Sequence, residues 1–183
     1  MAGKLLFISG LTGAGKSTLI EAALSTIDTL EALSTYTTRP QRDGEVNSYG
    51  YTFVNDSAYE EVKSQSNKWD ETIYGNYRYG ADAGKYISGL KSGKNVIVSV
   101  TPNRDDIREM SKIYNTQAIT IWINTNPKTA HARVASDSIR SARTEDEAVK
   151  YEFDVIFEPT GNLDEDAVSF TKLVKGIINE QSS

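Results

Sequence analysis

Three glycines, a lysine and three hydroxyls crowd into Gly10-Leu-Thr-Gly13-Ala14-Gly15-Lys16-Ser17-Thr18. The spacing fits G-x-x-x-x-G-K-S/T, a loop that wraps a phosphate chain. Glycine permits backbone conformations that a side chain forbids, so the N–H groups of such a loop can turn inward together. A helix starting near Ser17 would add its positive end to the cradle. Lys16 would reach the β- and γ-phosphates, and the Ser17 hydroxyl is the type of oxygen that ligates Mg²⁺. Gly10, Gly13, Ala14, Gly15, Lys16, Ser17 and Thr18 are therefore the candidate ATP-binding residues, with Ser17 also a candidate metal ligand. The bland alternative is a glycine-rich turn that happens to hold a lysine. An apolar strand pattern before the loop and a helical pattern after it favour the cradle.

A second cationic feature lies downstream. Arg39 and Arg42 flank Pro40 at a three-residue spacing and are followed by the turn-like pair Asp43-Gly44. Two guanidinium forks held this way can converge on one phosphate. Tyr51 and Tyr79 offer phenolic donors to the same oxygens. The other reading of the arginine pair is a solvated basic loop, and the pair by itself does not separate the two. A second anion site opposite the first is what transfer between two phosphates requires.

Positioning these residues takes a sheet with helices on both sides. Leu5 to Ile8, Val96 to Val100, Ala118 to Ile123 and Val155 to Phe157 are short apolar runs rich in β-branched or aromatic residues, the pattern of buried strands. Helical spacing of apolar residues runs over Ser17 to Ile27, Asn103 to Tyr114 and Glu165 to Ile178, and Thr125-Asn126-Pro127 is a cap followed by proline at the first helical position. Alternation of strands and helices predicts an α/β fold, a parallel sheet flanked by helices. Residues 34–91 differ. They carry short tyrosine-bearing strands at Tyr49 to Val54 and Ile73 to Tyr79, with helices near Ser57 to Gln65 and Asp82 to Lys91. The expectation is a small mixed α+β acceptor-binding lobe inserted into a core of residues 1–33 and 92–183, with a polar lid over about 135–150.

Composition narrows the chemistry. Apolar residues make up 38% and charged residues 25% of 183 residues, an ordinary balance for one globular domain able to bury its own core. There is no cysteine and a single histidine, His131. That excludes disulfide frameworks, thiolate zinc sites, cysteine nucleophiles and histidine clusters. The net charge of −5 argues against a nucleic-acid partner, which needs basic surface. No apolar run approaches a membrane span, and the start of the chain is too short for a signal peptide, so a cytoplasmic location is expected. Oligomeric state is not legible. Other reactions share such a loop, and a small chain with an inserted polar lobe fits phosphoryl transfer to a bound small molecule better.

The stretch T-T-R-x-x-R-x-G-E-V-x-x-x-x-Y-x-F-V from Thr37 to Val54 resembles the acceptor signature of guanylate kinases. The phosphate loop, G-N-Y-x-Y-G at Gly75 to Gly80 and G-K-N-V-I-V at Gly93 to Val98 follow in that family's order. The resemblance covers the first hundred residues well and is looser afterwards, where Leu163-Asp164-Glu165 is again similar. It implies phosphorylation of a nucleoside monophosphate, GMP or dGMP, by MgATP. Arg39, Arg42, Tyr51 and Tyr79 would hold the acceptor phosphate. Thr35 stands where the family has a serine at the guanine, and either Asp70 or Glu71 would accept from the guanine N1 and N2 protons. Arg133, Arg140 and Arg143 occupy the region of the family's lid arginines, so with Lys16 and Arg39 they are the candidate catalytic cations. Surface pairing with Glu145, Asp146 and Glu147 is the competing role for the lid group. His131 is expected to be partly buried and structural.

Three positions depart from the family pattern. Ala81 replaces a serine or threonine that contacts the base. Ser99 and Thr101 replace two acids that help order the metal's waters and the acceptor base; Asp105 and Asp106 follow just downstream. Ser and Thr can hydrogen-bond but bring no charge, and Thr101 is carried forward as an acceptor-side contact. The departures keep two other readings in view. One is a kinase of the same fold acting on another phosphorylated acceptor, such as a modified deoxynucleotide or a ribose phosphate. The other is a non-catalytic module binding a phosphorylated peptide, against which the intact phosphate loop argues.

Overall fold

The computed structural model describes residues 2–41, 50–100, 104–116, 118–135, 150 and 152–180. In chain order the elements are β1 (Leu5–Gly10), α1 (Lys16–Leu24), β2 (Leu30–Ala32), β3 (Thr35–Thr37), β4 (Tyr51–Phe53), α2 (Asp56–Gln65), β5 (Trp69–Tyr74), β6 (Tyr77–Asp82), α3 (Ala83–Lys91), β7 (Asn95–Ser99), α4 (Arg104–Tyr114), β8 (Ala118–Ile123), α5 (Pro127–Val134), β9 (Val155–Phe157) and α6, which is Leu163–Asn179. Five strands form one sheet in the order β2-β7-β1-β8-β9, and every pairing in it is parallel.

β1 is buried along its whole length, as a central parallel strand covered on both faces must be. Its alternating side chains divide the core in two. Leu6 and Ile8 pack with Leu19, Ile20 and Ala23 of α1 and with Phe170, Val174 and Ile177 of α6. Leu5 and Phe7 pack on the opposite side with Ala83, Tyr86 and Leu90 of α3 and with Tyr114 of α4. α3 thus packs with the parallel sheet, and the return of the chain to the core begins at this helix.

The second sheet has the order β4-β3-β6-β5. Its β3–β4 pairing is parallel, whereas β3–β6 and β5–β6 are antiparallel. This is the mixed sheet anticipated for the inserted segment, with two differences. The single strand expected over Ile73 to Tyr79 is the middle of a hairpin, because Gly75-Asn76 forms its turn and Gly75 sits at φ 61°. β2 and β3 were not anticipated; each has three residues, and Glu31 and Tyr36 at their centres interrupt any apolar run. The other helices and strands lie within a few residues of their expected bounds. Among the described residues no helix is long and apolar enough to cross a membrane.

α6 starts two positions before the expected Glu165 because Asn162 caps it, its side chain accepting from the Asp164 N–H at 3.1 Å. Asp164, Glu165 and Asp166 follow in the first turn, where the helix dipole favours negative charge. Asp166 is only 2% exposed. Its carboxylate accepts from Thr160 N–H at 2.6 Å, Thr160 O–H at 2.9 Å and Gly161 N–H at 3.2 Å, pinning the turn after β9 to the helix. Asp166→Ala is expected to lower unfolding free energy by about 2 kcal/mol, because three donors on the partly exposed turn lose a charged, buried acceptor. Urea denaturation of the two proteins measures it.

Candidate active site

The phosphate loop connects the C-terminal end of β1 to the start of α1, between strands β7 and β8. That position is where parallel α/β sheets bind ligands. Gly13 has φ 85°, and a Cβ there would stand 2.2 Å from the Ala130 carbonyl oxygen of α5, so only glycine lets the loop seat against that helix. Gly15 takes φ 92° as the N-cap of α1, which turns the chain into the helix without a side chain over the opening. The Ala14 N–H donates to Leu11 O at 3.0 Å, and the buried Thr125 hydroxyl donates to Ala14 O at 2.9 Å. The loop is thereby held from inside by a turn and from below by the end of β8.

Two of the expected cations lie on this loop. The Lys16 ammonium donates to Gly10 O at 2.7 Å and Leu11 O at 2.9 Å. The Arg133 guanidinium donates to Gly13 O at 3.3 Å, and the same nitrogen lies 3.5 Å from where a Cβ on Gly15 would be. The arginine reaches over the loop from α5. Ser17 and Thr18 are exposed at the start of α1. Among the described residues no three His, Cys, Asp or Glu side chains converge as a metal site. The donor that remains for a hard cation is the Ser17 hydroxyl beside the cradle, which fits Mg²⁺ held chiefly by phosphate oxygens and water.

The second sheet has two chemically different faces, set by its register. Paired residues share a face and successive residues alternate. The pairs Thr35–Tyr51, Thr37–Phe53, Thr37–Tyr79, Thr72–Tyr79 and Asp70–Ala81 therefore put Thr35, Thr37, Tyr51, Phe53, Asp70, Thr72, Tyr79 and Ala81 on one side. Arg39 lies on that side too. It is 9% exposed, with its guanidinium 4.9 Å from the Phe53 ring centre and 5.9 Å from that of Tyr51. Tyr51 meets Tyr79 edge-on at 6.2 Å. Stacking on aromatic faces orients the guanidinium, and its Nη1 also donates to the Pro40 carbonyl at 2.9 Å. Thr35, Arg39, Tyr51, Asp70 and Tyr79, expected as acceptor-side residues, are thus gathered on a single face.

Glu71 lies on the other face, with Tyr36, Trp69, Arg78 and Gly80. There it is taken up by the Lys63 ammonium of α2 and by Arg78, whose Nε donates at 2.9 Å. Arg78 also pairs with Glu60 at 2.5 Å and lies 4.2 Å over the Tyr59 ring. Burial would raise the Glu71 carboxyl, but the hydrogen bonds from Lys63 and Arg78 outweigh it and hold the group below its usual range. Asp70 is the reverse case. Burial pushes its carboxyl above the usual range and Glu109 adds to this, while the neighbouring Tyr114 hydroxyl acts in the opposite direction. The Asp70 and Glu71 carboxylates therefore do different work, and the alternation of one strand is what separates them.

Phe53, Arg78 and Tyr114 were not singled out from sequence. Phe53 stands two residues after Tyr51 on the same strand, a period-2 signal that could have paired them. Arg78 lies within Gly75-Asn-Tyr-Arg-Tyr-Gly80, and a cation facing Glu60 and Glu71 is legible only once the hairpin is drawn. His131 is exposed on α5 rather than partly buried, because Ala130 and Val134 take the inward positions. Arg42, Thr101, Arg140 and Arg143 lie outside the described residues, as does most of the expected lid.

The depressed Glu71 carboxyl contributes stability above its unfolded-state titration range and loses it as pH falls through its folded value. Glu71→Gln is expected to flatten the acid side of the stability profile. Melting temperatures of both proteins between pH 7 and about pH 3 would show the two curves converging at the acid end.

A family model described as guanylate kinase matches residues 2–178 of this chain. A guanylate kinase of Nostoc sp. is 33% identical over 100 residues, covering 55% of this chain and 50% of that protein. One from Chlorobium chlorochromatii is 32% identical over 126 residues, covering 67% of this chain and 63% of that protein. The chain thus spans about half to three-fifths of the length of these curated relatives. The crystal structure of guanylate kinase from Anaplasma phagocytophilum aligns over 98% of this chain and 88% of that one, with a TM-score of 0.66 at 13% identity, a likeness of fold.

Proposed function

Because this chain belongs to the guanylate kinase family, we propose that it transfers the γ-phosphoryl group of ATP to a nucleoside monophosphate, GMP or dGMP foremost. The observation that carries the reading is the gathering of Arg39, Tyr51, Tyr79, Thr35 and Asp70 on one face of the second sheet, in a chain whose phosphate loop holds Lys16 and Arg133. One set suits an incoming phosphate with a base attached, the other a triphosphate.

An oxygen of the acceptor's phosphate attacks the γ-phosphorus, the bond from that phosphorus to the β-bridging oxygen breaks, and ADP leaves. The acceptor is already an anion, so no general base is needed, and rate comes from positioning and charge neutralisation. Arg39, with Arg42, Tyr51 and Tyr79, holds the acceptor phosphate. Lys16 holds the β- and γ-phosphates, and Arg133 neutralises charge above the loop, joined by Arg140 and Arg143 when residues 135–150 close as a lid. Ser17 would hold Mg²⁺ together with phosphate oxygens, and the ion supplies further charge neutralisation there. Asp70, ionised, accepts from the guanine N1 and N2 protons, with Thr35 and Thr101 beside the base. Glu71 has no part in this, since it is spent on Lys63 and Arg78 on the opposite face. The lobe built on the second sheet carries the acceptor toward the core that holds the phosphate loop.

One feature favours a second reading. Ala81, directly across from Asp70, is buried and offers only a methyl group, and Ser99 ends β7 where an acid would bring charge. A base with fewer polar edges, or a ribose phosphate, would suit such a site better than GMP.

ADP release in the presence of MgATP and a panel of nucleoside monophosphates and ribose phosphates separates the two. GMP or dGMP is expected to lead the panel; turnover only with another acceptor would establish the second reading, and failure to bind ATP would defeat both. Lys16→Ala should abolish transfer. Arg39→Ala should raise acceptor KM about tenfold or more while leaving ATP KM in place, the cost of one charged hydrogen-bond donor.

A further inference from the structure

The acceptor-facing side of the second sheet ends against the parallel core, and Tyr114, the last residue of α4, stands at that junction. Tyr114 is 1% exposed and belongs to the cluster that packs Ala81 and Ala83 with Leu5, Phe7, Val96 and Val98. Ala81 is the cross-strand partner of Asp70, so the cluster that buries the Tyr114 ring adjoins Asp70, and the two side chains are close enough to influence one another's titration. The Tyr114 hydroxyl is buried and makes no hydrogen bond among the described residues, a donor in need of an acceptor. Burial first, and the Asp70 carboxylate next, push this phenol far above its usual range. It therefore keeps its proton at any working pH and can act as a donor.

We propose that Tyr114 is a specificity-determining positioning residue, its hydroxyl donating to the Asp70 carboxylate and holding it turned toward the acceptor base. The inference rests on the reading of Asp70 as the base contact. A short carboxylate on a strand can rotate about its own two torsions. One oxygen held from the core leaves the other presented to the acceptor face. The remaining groups around the pair do not supply this support. Glu109 of α4 faces Asp70 and opposes its charge. Asp82 adds negative charge near Tyr114. The Tyr86 hydroxyl of α3 is already engaged, accepting from Ser34 N–H at 2.7 Å. Of these groups Tyr114 is the one that favours ionised Asp70, since a hydrogen bond to the charged form stabilises that form.

Tyr114→Phe tests this. The variant keeps the ring and deletes only the hydroxyl, and Tyr114→Met repeats the comparison should the Phe variant not fold. Carbon-13 NMR titration of the Asp70 carboxyl, assigned with Asp70→Asn, is expected to show its midpoint moving to higher pH in the variant. With MgATP, the acid limb of kcat/KM for GMP should move up in pH with it. KM for GMP should rise about tenfold, the loss of one hydrogen bond to a charged group, and preference for GMP over AMP should fall by a similar factor. kcat and the KM for ATP should hold. A folded variant with an unmoved Asp70 midpoint overturns the proposal. If the wild type phosphorylates no nucleoside monophosphate, the functional reading fails, and the carboxyl titration still decides whether Tyr114 supports Asp70.

Discussion

The seating of the phosphate loop is the constraint on which the rest of this structure depends. A loop that presents backbone amides to an anion must leave the sheet abruptly, and it cannot be stabilised by side chains of its own. Here it is held by what surrounds it. β1 is locked between two parallel neighbours, so its end at Gly10 has no freedom. α5 packs so close to Gly13 that a single methyl group would strike the Ala130 carbonyl. Thr125, at the end of β8, holds the Ala14 carbonyl from below. The same approach of α5 that requires glycine at position 13 carries Arg133 over the loop. Packing and charge placement at this site are one arrangement.

The second sheet solves a different problem, holding cations and a carboxylate near one another without letting them neutralise one another. It does so by alternation. Arg39 rests on the Phe53 and Tyr51 rings and donates to the Pro40 carbonyl, contacts that orient the guanidinium without a carboxylate partner among those described. On the reverse face Arg78 and Lys63 are consumed by Glu71 and Glu60, which ties α2 to the sheet. A carboxylate at position 71 is structural and one at position 70 is available, although they are neighbours in the chain.

Much of the site was legible because it is local. The loop from Gly10 to Thr18 is contiguous, and its glycines, lysine and hydroxyls announce phosphate chemistry wherever they follow a strand and open a helix. β1, β7 and β8 were legible as largely buried apolar strands, and the short β9 because Val, Ile and Phe are apolar at every position. β2 and β3 were not, since polar residues take up much of their three positions. The hairpin at Gly75-Asn76 was missed because β-branched and aromatic residues continue on both sides of the turn and blur its boundary. His131 was misjudged because one helical position decides whether a side chain meets solvent or core.

By itself the sequence determined that this chain carries a phosphate-loop motif and that its fold alternates strands with helices, because both properties are written in contiguous residues and short periods. Which of two adjacent acids shares a face with Arg39, Tyr51 and Tyr79 was decided by tertiary structure alone. The choice depends on the register between β5 and β6, and a slip of one residue in that register exchanges the faces of Asp70 and Glu71. The packing of Tyr114 in one cluster with Ala81, the strand partner of Asp70, was decided in the same way, between segments more than thirty residues apart.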